Sequence, residues 1–139
     1  MNGYNKEIEL KKPAGYSLSD KNSLTISYTG TLYSAQPYEE FLIAAKNYIK
    51  DNDTAVKINF IGTEIIPSVE QFLKKNTQEH KSNFSFYQRK NKEDLDDLIK
   101  NTDLFLLLGF NDKNGWLPVK MFEYFAKGKP ILYVSGNVN

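Results

Sequence analysis

Five short apolar runs alternate with four amphipathic stretches between residues 23 and 139, and this alternation limits the possible folds more than any other feature. The runs are rich in β-branched and aromatic residues, as strands are, and cover residues 24–29, 56–61, 83–87, 103–108 and 130–134. Helices are predicted over residues 37–50, from Pro67, after an N-terminal cap at Asn91, and from Pro118 to a cap at Gly128. The order βαβαβαβαβ predicts an α/β fold with a doubly wound, parallel, Rossmann-like sheet of about five strands.

The fourth predicted helix has an apolar face and a polar face. Its spacing predicts that the residues facing the core are Met121, Phe122, Phe125 and Ala126. The other face carries Lys120, Glu123, Tyr124 and Lys127. Taken alone, this spacing favours an ordinary solvated face, with an ion pair between Glu123 and Lys127.

The composition argues against several classes of function. The 139 residues include 18 Lys and Arg against 17 Asp and Glu, so a chain built mainly to bind nucleic acid is not expected. The chain has no Cys and one His. A metal site built from Cys or His ligands is therefore not expected, and neither is a Ser-His-Asp triad. No apolar run has the length of a membrane span and the first residues do not resemble a signal peptide, so a cytoplasmic location is predicted.

Residues 1–22 differ in character from the rest of the chain. They are polar and irregular, and are predicted to form a linker or N-terminal arm. Residues 23–139 are predicted to form one Rossmann-like domain. The last strand is followed by only a few residues, without the helix that usually covers such a sheet, so the chain is expected to be part of a longer protein.

The fold class predicts where a ligand binds. In open parallel sheets ligands bind beyond the carboxyl ends of the strands, where the strand order reverses. In the common order 3-2-1-4-5 this point lies between the first and fourth strands, so residues 30–36 and 109–118 should converge there. The second loop leads into the fourth helix, whose N-terminus is suited to a phosphate. Lys120 could add charge there, and Glu123 could accept hydrogen bonds from a vicinal diol such as ribose.

The segment LPVKMFEYFAKGKPI, residues 117–131, resembles a motif of a known family. It is similar to the P-x-K-x-F-E-Y-x-A-x-G-K-P pattern in the C-terminal, donor-binding half of GT-B fold glycosyltransferases of the group 1 type. Four further segments resemble other elements of that half in the same order: residues 2–5, 28–32, 60–62 and 103–107. The resemblance covers nearly the whole chain and implies that it is one half of a GT-B fold.

The resemblance implies a function and a set of site residues. Members of the family transfer a sugar from a nucleotide diphosphate donor, such as a UDP- or GDP-sugar, to a glycan or lipid-linked acceptor, with no cofactor and no obligatory metal. By this analogy, Gly30 and Thr31 approach the phosphates, Lys120 adds charge and Glu123 holds the ribose. The remaining residues are Gln88 and Arg89 at the nucleobase, and the backbone of Leu117, Pro118 and Val119 at the donor sugar and diphosphate.

The sequence also departs from the family pattern. The first glutamate of the family's E-x7-E element falls at Gly115, and the basic residues of its first loop fall at Thr31 and Gln36. The acceptor-binding N-terminal domain is absent, so catalytic residues are not assigned and the isolated chain is expected to be inactive. Contact with a membrane, at its cytosolic face, is expected only through that other half.

Two other classes of function compete with the glycosyltransferase. A non-catalytic Rossmann-like binding or scaffold module is consistent with the neutral residues at Gly115, Thr31 and Gln36. A dinucleotide-binding domain requires G-x-G-x-x-G after the first strand and an acidic residue after the second. Gly30 stands alone in its loop, which disfavours this alternative, although Glu64 could take the place of the acidic residue.

Overall fold

The chain alternates strands and helices in the order predicted from its sequence. The computed structural model describes residues 23–52, 55–111 and 120–136, and only the backbone of Phe122. The strands are β1 (Ser23–Thr29), β2 (Ala55–Ile61), β3 (Phe84–Tyr87), β4 (Leu104–Leu108) and β5 (Ile131–Val134). The helices are α1 (Tyr38–Asp51), α2 (Pro67–Lys75), α3 (Lys92–Ile99) and α4 (Lys120–Ala126), with short 3-10 turns at Thr63–Ile65 and Gln78–His80.

The five strands form one open sheet in the order β3-β2-β1-β4-β5. All four neighbouring pairs are parallel. The predicted α/β class, the doubly wound parallel sheet and the strand order are therefore confirmed. The predicted arm of residues 1–22 lies outside the described residues, and so do residues 2–5 of the family resemblance.

Local sequence signals fix several helix ends. Pro67 is the first residue of α2, where its missing N–H needs no partner. The side chain of Asn91 accepts a hydrogen bond from the backbone nitrogen of Asp94 at 2.8 Å, as predicted for the cap of α3. Gly128 adopts φ +71 just after α4, a backbone conformation that favours glycine.

The core lies on both faces of the sheet. The larger cluster joins α1 and α2 to one face through residues such as Phe41, Val69 and Phe60. The smaller cluster joins α3 and α4 to the other face through Ile99 and Tyr124. Strand β4 contributes to both faces, because residues 105–108 are all buried. This explains why β4 has a nearly continuous apolar sequence instead of an alternating one.

The structure corrects the predicted orientation of α4. Tyr124, assigned to the polar face, is only 2% exposed and belongs to the core. Ala126, assigned to the core, is exposed, while Met121 and Phe125 are half-buried. The prediction was wrong because a tyrosine ring can be buried when its hydroxyl has a hydrogen-bond partner in the interior, and spacing does not show that partner. The predicted start of this helix at Pro118 lies outside the described residues.

Candidate functional site

A gap opens between β1 and β4 at their carboxyl ends. The two strands pair only through Ile26 with Leu104 and Ser27 with Phe105. Beyond these pairs the phenol of Tyr124 occupies the space between the strands, and its ring stacks on Phe105 with centroids 4.5 Å apart. This is the point where the strand order reverses, so the predicted location of a ligand crevice corresponds to a real break in strand pairing.

The Tyr124 hydroxyl completes the hydrogen bonding of β1. It accepts a hydrogen bond from the backbone nitrogen of Thr29 at 3.1 Å and lies 3.3 Å from the Thr29 hydroxyl. Burial raises the pKa of Tyr124 to about 12, although the hydrogen bonds from Thr29 act in the opposite direction. The phenol is therefore a neutral structural group at neutral pH.

Two glycines lie at this carboxyl edge of the sheet, of which Gly30 is half-buried and Gly62 is buried. Gly30 ends β1 with φ +104, and Gly62 ends β2 with φ +94. Their backbones are in close contact, because a Cβ built on Gly62 would lie 3.5 Å from three backbone atoms of Gly30. Each glycine N–H donates to the strand beside it, to Ile61 at 2.7 Å and to Tyr87 at 2.9 Å respectively. Larger residues would not fit these conformations without strain.

The ammonium group of Lys120 lies directly over Gly30. A Cβ built on Gly30 would overlap the Nζ atom of Lys120 and lie 3.1 Å from its Cε atom. The same Nζ atom is 5.6 Å from the centroid of the buried Tyr28 ring, within the range of a cation–π contact. Lys120 therefore lies beside the loop that follows β1, and its predicted role towards a bound phosphate stays a prediction.

The charge of Lys120 has no carboxylate partner among the described residues. Its ammonium makes no hydrogen bond or ion pair with any other described residue, although its side chain is half-buried. Burial lowers the pKa of Lys120, the carboxylate of Glu123 acts against this, and the positive charge of Arg89 adds to it. A cation that is partly withdrawn from water and pairs with none of the described carboxylates favours the approach of an anion.

Gln88 and Arg89 follow β3 at the same carboxyl edge, and both are exposed. The backbone nitrogen of Arg89 donates to the Oε2 atom of Glu64 at 2.9 Å. Glu64 itself lies in the 3-10 turn just after Gly62. The family resemblance gives Glu64 no role, although its place two residues after the glycine that ends β2 is where a dinucleotide-binding domain would carry its acidic residue.

The loop after β1 is held by a buried amide. Gln36 is 5% exposed; its Oε1 atom accepts from the backbone of Tyr33 and its Nε2 atom donates to the carbonyl of Leu108, both at 2.9 Å. The Tyr28 hydroxyl donates to the Thr31 carbonyl at 2.8 Å. The residue that replaces a basic side chain of the family pattern is thus an internal support of the loop and does not face a ligand.

The two predicted loops do converge in their described parts. The backbone nitrogen of Asn111 donates to the carbonyl of Ala35 at 2.7 Å. The rest of the second loop, with Gly115, Leu117, Pro118 and Val119, lies outside the described residues. The assignment of the last three to the donor sugar and diphosphate stays a prediction.

Glu123 lies on the exposed side of α4. The ion pair predicted between it and Lys127 is wrong. The ammonium of Lys127 instead contacts Asp96 of α3 at 2.7 Å, and Lys92 contacts the same carboxylate at 3.2 Å. Spacing within one helix could not reveal this contact, because Asp96 lies 31 positions earlier. The carboxylate of Glu123 makes no hydrogen bond to another described residue.

Neither a metal site nor a membrane span is found in the described ranges. No group of three or more His, Asp or Glu side chains there could hold a metal ion. None of the helices found there has the length and apolar character to cross a bilayer.

Comparison with models of known protein families finds no match to this chain. A search of curated proteins finds none either. The class that the fold itself defines is a Rossmann-like, doubly wound α/β domain. At the carboxyl edge of this domain the half-buried Lys120 lies over the glycine that ends the first strand, and no described residue pairs with its charge.

Proposed function

We propose that the carboxyl edge of the sheet binds the diphosphate of a nucleotide sugar, and that the chain is the donor-binding half of a glycosyltransferase. The observation that carries this proposal is the ammonium of Lys120 over Gly30. This ammonium is a positive charge at the end of β1, at the point where Rossmann-like sheets bind ligands. The resemblance of residues 117–131 to the donor-binding motif of GT-B glycosyltransferases points to the same ligand.

The proposed role of Lys120 follows from the chemistry of sugar transfer. The bond between the anomeric carbon and the donor phosphate oxygen breaks, and negative charge grows on that oxygen as the nucleotide diphosphate leaves. A fixed cation at this oxygen stabilises the charge, and more strongly where water is partly excluded. Arg89 supplies a second positive charge at the same edge. The acceptor, a glycan or lipid-linked sugar in the cytoplasm or at the cytosolic face of a membrane, would bind to the partner half.

The lack of a side chain at Gly30 supports the same ligand. The ammonium of Lys120 occupies the space that a Cβ on Gly30 would take, so glycine at this position lets the charge lie at the end of the strand. Gly62 is buried and both glycine N–H groups already donate to neighbouring strands, so the charge of Lys120 is the group offered to a phosphate here. Thr31, which follows Gly30, offers a hydroxyl but no charge, so Lys120 and Arg89 carry the attraction in this proposal.

An amide NMR titration of the whole chain tests this proposal. UDP, GDP, ADP, CMP and pyrophosphate are added separately, because NMR detects dissociation constants near about 1 mM. We expect one nucleotide diphosphate to shift the amide signals of Gly30, Gly62 and Arg89. The variant Lys120→Met should weaken this binding about tenfold or more, since it removes a charge-assisted contact. Lys50→Met, which removes an exposed lysine from the last turn of α1, should leave it unchanged.

The alternative is a Rossmann-like module that no longer binds a donor and acts as a scaffold. The position of Gln36 favours it, because a residue that is basic in the family pattern is here buried inside the loop. The titration separates the two proposals. If no nucleotide or pyrophosphate shifts the three amides at millimolar concentration, the donor-binding proposal is wrong and the scaffold is supported.

A further inference from the structure

An exposed aromatic side chain lies beside the end of β1, close to the proposed diphosphate site. Tyr33 belongs to the loop that follows Gly30, and it is 48% exposed. Its ring contacts that of Phe110, just after β4, with centroids 5.9 Å apart and an angle of 38° between the ring planes. These two residues form an aromatic platform where two neighbouring strands end.

The platform is held in place before any ligand binds. The backbone nitrogen of Tyr33 donates to the Oε1 atom of Gln36 at 2.9 Å, and its carbonyl accepts from the backbone nitrogen of Gln36 at 3.0 Å. Its ring rests on the half-buried Phe110. Because backbone and ring are both supported, a ligand that stacks on Tyr33 costs little conformational entropy.

The platform lies next to the charge of Lys120. The hydroxyl of Tyr28 donates to the carbonyl of Thr31 at 2.8 Å, two residues before Tyr33. The ring of the same Tyr28 is 5.6 Å from the Nζ atom of Lys120. One buried tyrosine therefore contacts both the loop that carries the platform and the ammonium proposed to bind the diphosphate.

The strand order separates the two ends of a nucleotide sugar. Strand β4 is the direct neighbour of β1, whereas β3, which leads to Gln88 and Arg89, is the second strand on the other side. Neighbouring strands lie about 4.8 Å apart. In a nucleotide sugar the transferred sugar is bonded directly to the diphosphate, whereas the ribose separates the base from it. With the diphosphate at the end of β1, the nearer platform matches the position of the sugar and the end of β3 matches that of the base.

We infer that Tyr33, supported by Phe110, stacks against the sugar ring of the donor, and that this sugar is a pyranose with an apolar face. This inference rests on the proposed function. A pyranose carries its hydroxyls around the rim and C–H groups on its faces. These C–H groups pack well on the negative face of an aromatic ring, while the rim hydroxyls stay bonded to water.

Paired titrations of the whole chain test this inference. UDP is compared with UDP-glucose and UDP-galactose, and GDP with GDP-mannose, and dissociation constants are obtained from the amide shifts. Tyr33→Ala should weaken binding of the nucleotide sugar about tenfold and change that of the matching nucleotide diphosphate less than about twofold. Tyr33→Phe, which keeps the ring, should restore the lost affinity. Tyr48→Ala, at an exposed tyrosine near the other end of α1, is the matched control and should change neither.

A direct contact is detectable in the parent chain without any substitution. Stacking should move the C–H proton signals of the sugar upfield and give nuclear Overhauser effects between them and the ring protons of Tyr33. Such effects to the base instead, or equal affinity of the parent and Tyr33→Ala for the nucleotide sugar, would overturn the inference while diphosphate binding stays intact. Equal weakening of nucleotide diphosphate and nucleotide sugar by Tyr33→Ala would overturn it too. If neither pyrophosphate nor any nucleotide binds, the proposed function fails and this inference fails with it.

Discussion

The phenol oxygen of Tyr124 accepts a hydrogen bond from the backbone nitrogen of Thr29, on the side of β1 where pairing with β4 has already ended. A side chain here takes the place of a neighbouring strand. The arrangement keeps the end of β1 hydrogen-bonded beyond the point where its pairing with β4 ends. Helix α4 is thus attached to the sheet by the same residue that fills the gap.

Removal of this hydroxyl should destabilise the fold. Tyr124→Phe keeps the stacking on Phe105 but leaves the buried N–H of Thr29 without a partner, so the free energy of unfolding should fall by about 1–2 kcal/mol. Urea denaturation measures this difference. Tyr48→Phe, at a side chain that is 44% exposed, is the control and should change stability by less than about 0.5 kcal/mol. Equal stability of the two variants would contradict the structural role of Tyr124.

Gly30→Ala should be costlier than the same change at another glycine with positive φ. Gly128 has φ +71, and a Cβ added there would have nothing within 4 Å, so Gly128→Ala measures the backbone strain alone, about 1–2 kcal/mol. Gly30→Ala is made at φ +104, farther from the left-handed helical region than φ +71, so its backbone strain is larger. The new Cβ also displaces the ammonium of Lys120, but this is the mobile end of a long side chain and should add only a few tenths of a kcal/mol. A double-mutant cycle with Lys120→Ala measures this coupling, and a coupling above about 1 kcal/mol would contradict a clash that the lysine can relieve by moving.

Lys120→Met should stabilise the chain at neutral pH, even though it weakens diphosphate binding. Burial lowers the pKa of Lys120, so its charged form is less favourable in the folded state than in the unfolded chain. Methionine keeps much of the apolar stem and removes the charge, and a gain of up to about 1 kcal/mol is expected. Gain of stability with loss of binding is typical of a residue kept for function.

The stability gain of Lys120→Met should depend on pH with a definite sign. Since the folded-state pKa lies below that of the unfolded chain, the folded state releases this proton first as pH rises. The parent therefore gains stability through the window between the two values, and the advantage of the methionine variant shrinks there. Denaturation of both proteins at neutral pH and near pH 10 tests this. The buried tyrosines contribute equally to the pH dependence of both proteins, so their effect cancels in the difference between the two free energies of unfolding.

Gln36→Lys would restore the basic residue of the family pattern but should not strengthen nucleotide binding. The amide of Gln36 is buried and connects Tyr33 with Leu108, so an ammonium there loses the acceptor role and is desolvated. We expect a loss of about 1–3 kcal/mol of stability and no gain in affinity. Thr31→Lys, at a half-buried position beside Gly30, is the comparison. A tighter complex with Gln36→Lys would show that the loop adopts another arrangement when ligand is bound.

Elements specified by local chemistry were predictable from the sequence. The cap at Asn91, the start at Pro67 and the glycine at position 128 act within a few residues, and the continuous apolar run of β4 indicates a central strand. The site is different, because its contacts join distant parts of the chain. Tyr124 meets Thr29 across 95 positions and Gln36 meets Leu108 across 72. Whether a polar side chain is exposed or buried at such a place depends on a partner that periodicity does not reveal.

The buried amide of Gln36 affects how tightly the site can bind a ligand, because it holds the loop after β1 in place. With Gln36 joined to both Tyr33 and Leu108, the loop after β1 has its shape before any ligand arrives. The entropy lost in ordering that loop belongs to folding and not to binding. A ligand at Gly30 therefore meets a surface that is already organised, and even a modest number of contacts can produce measurable affinity.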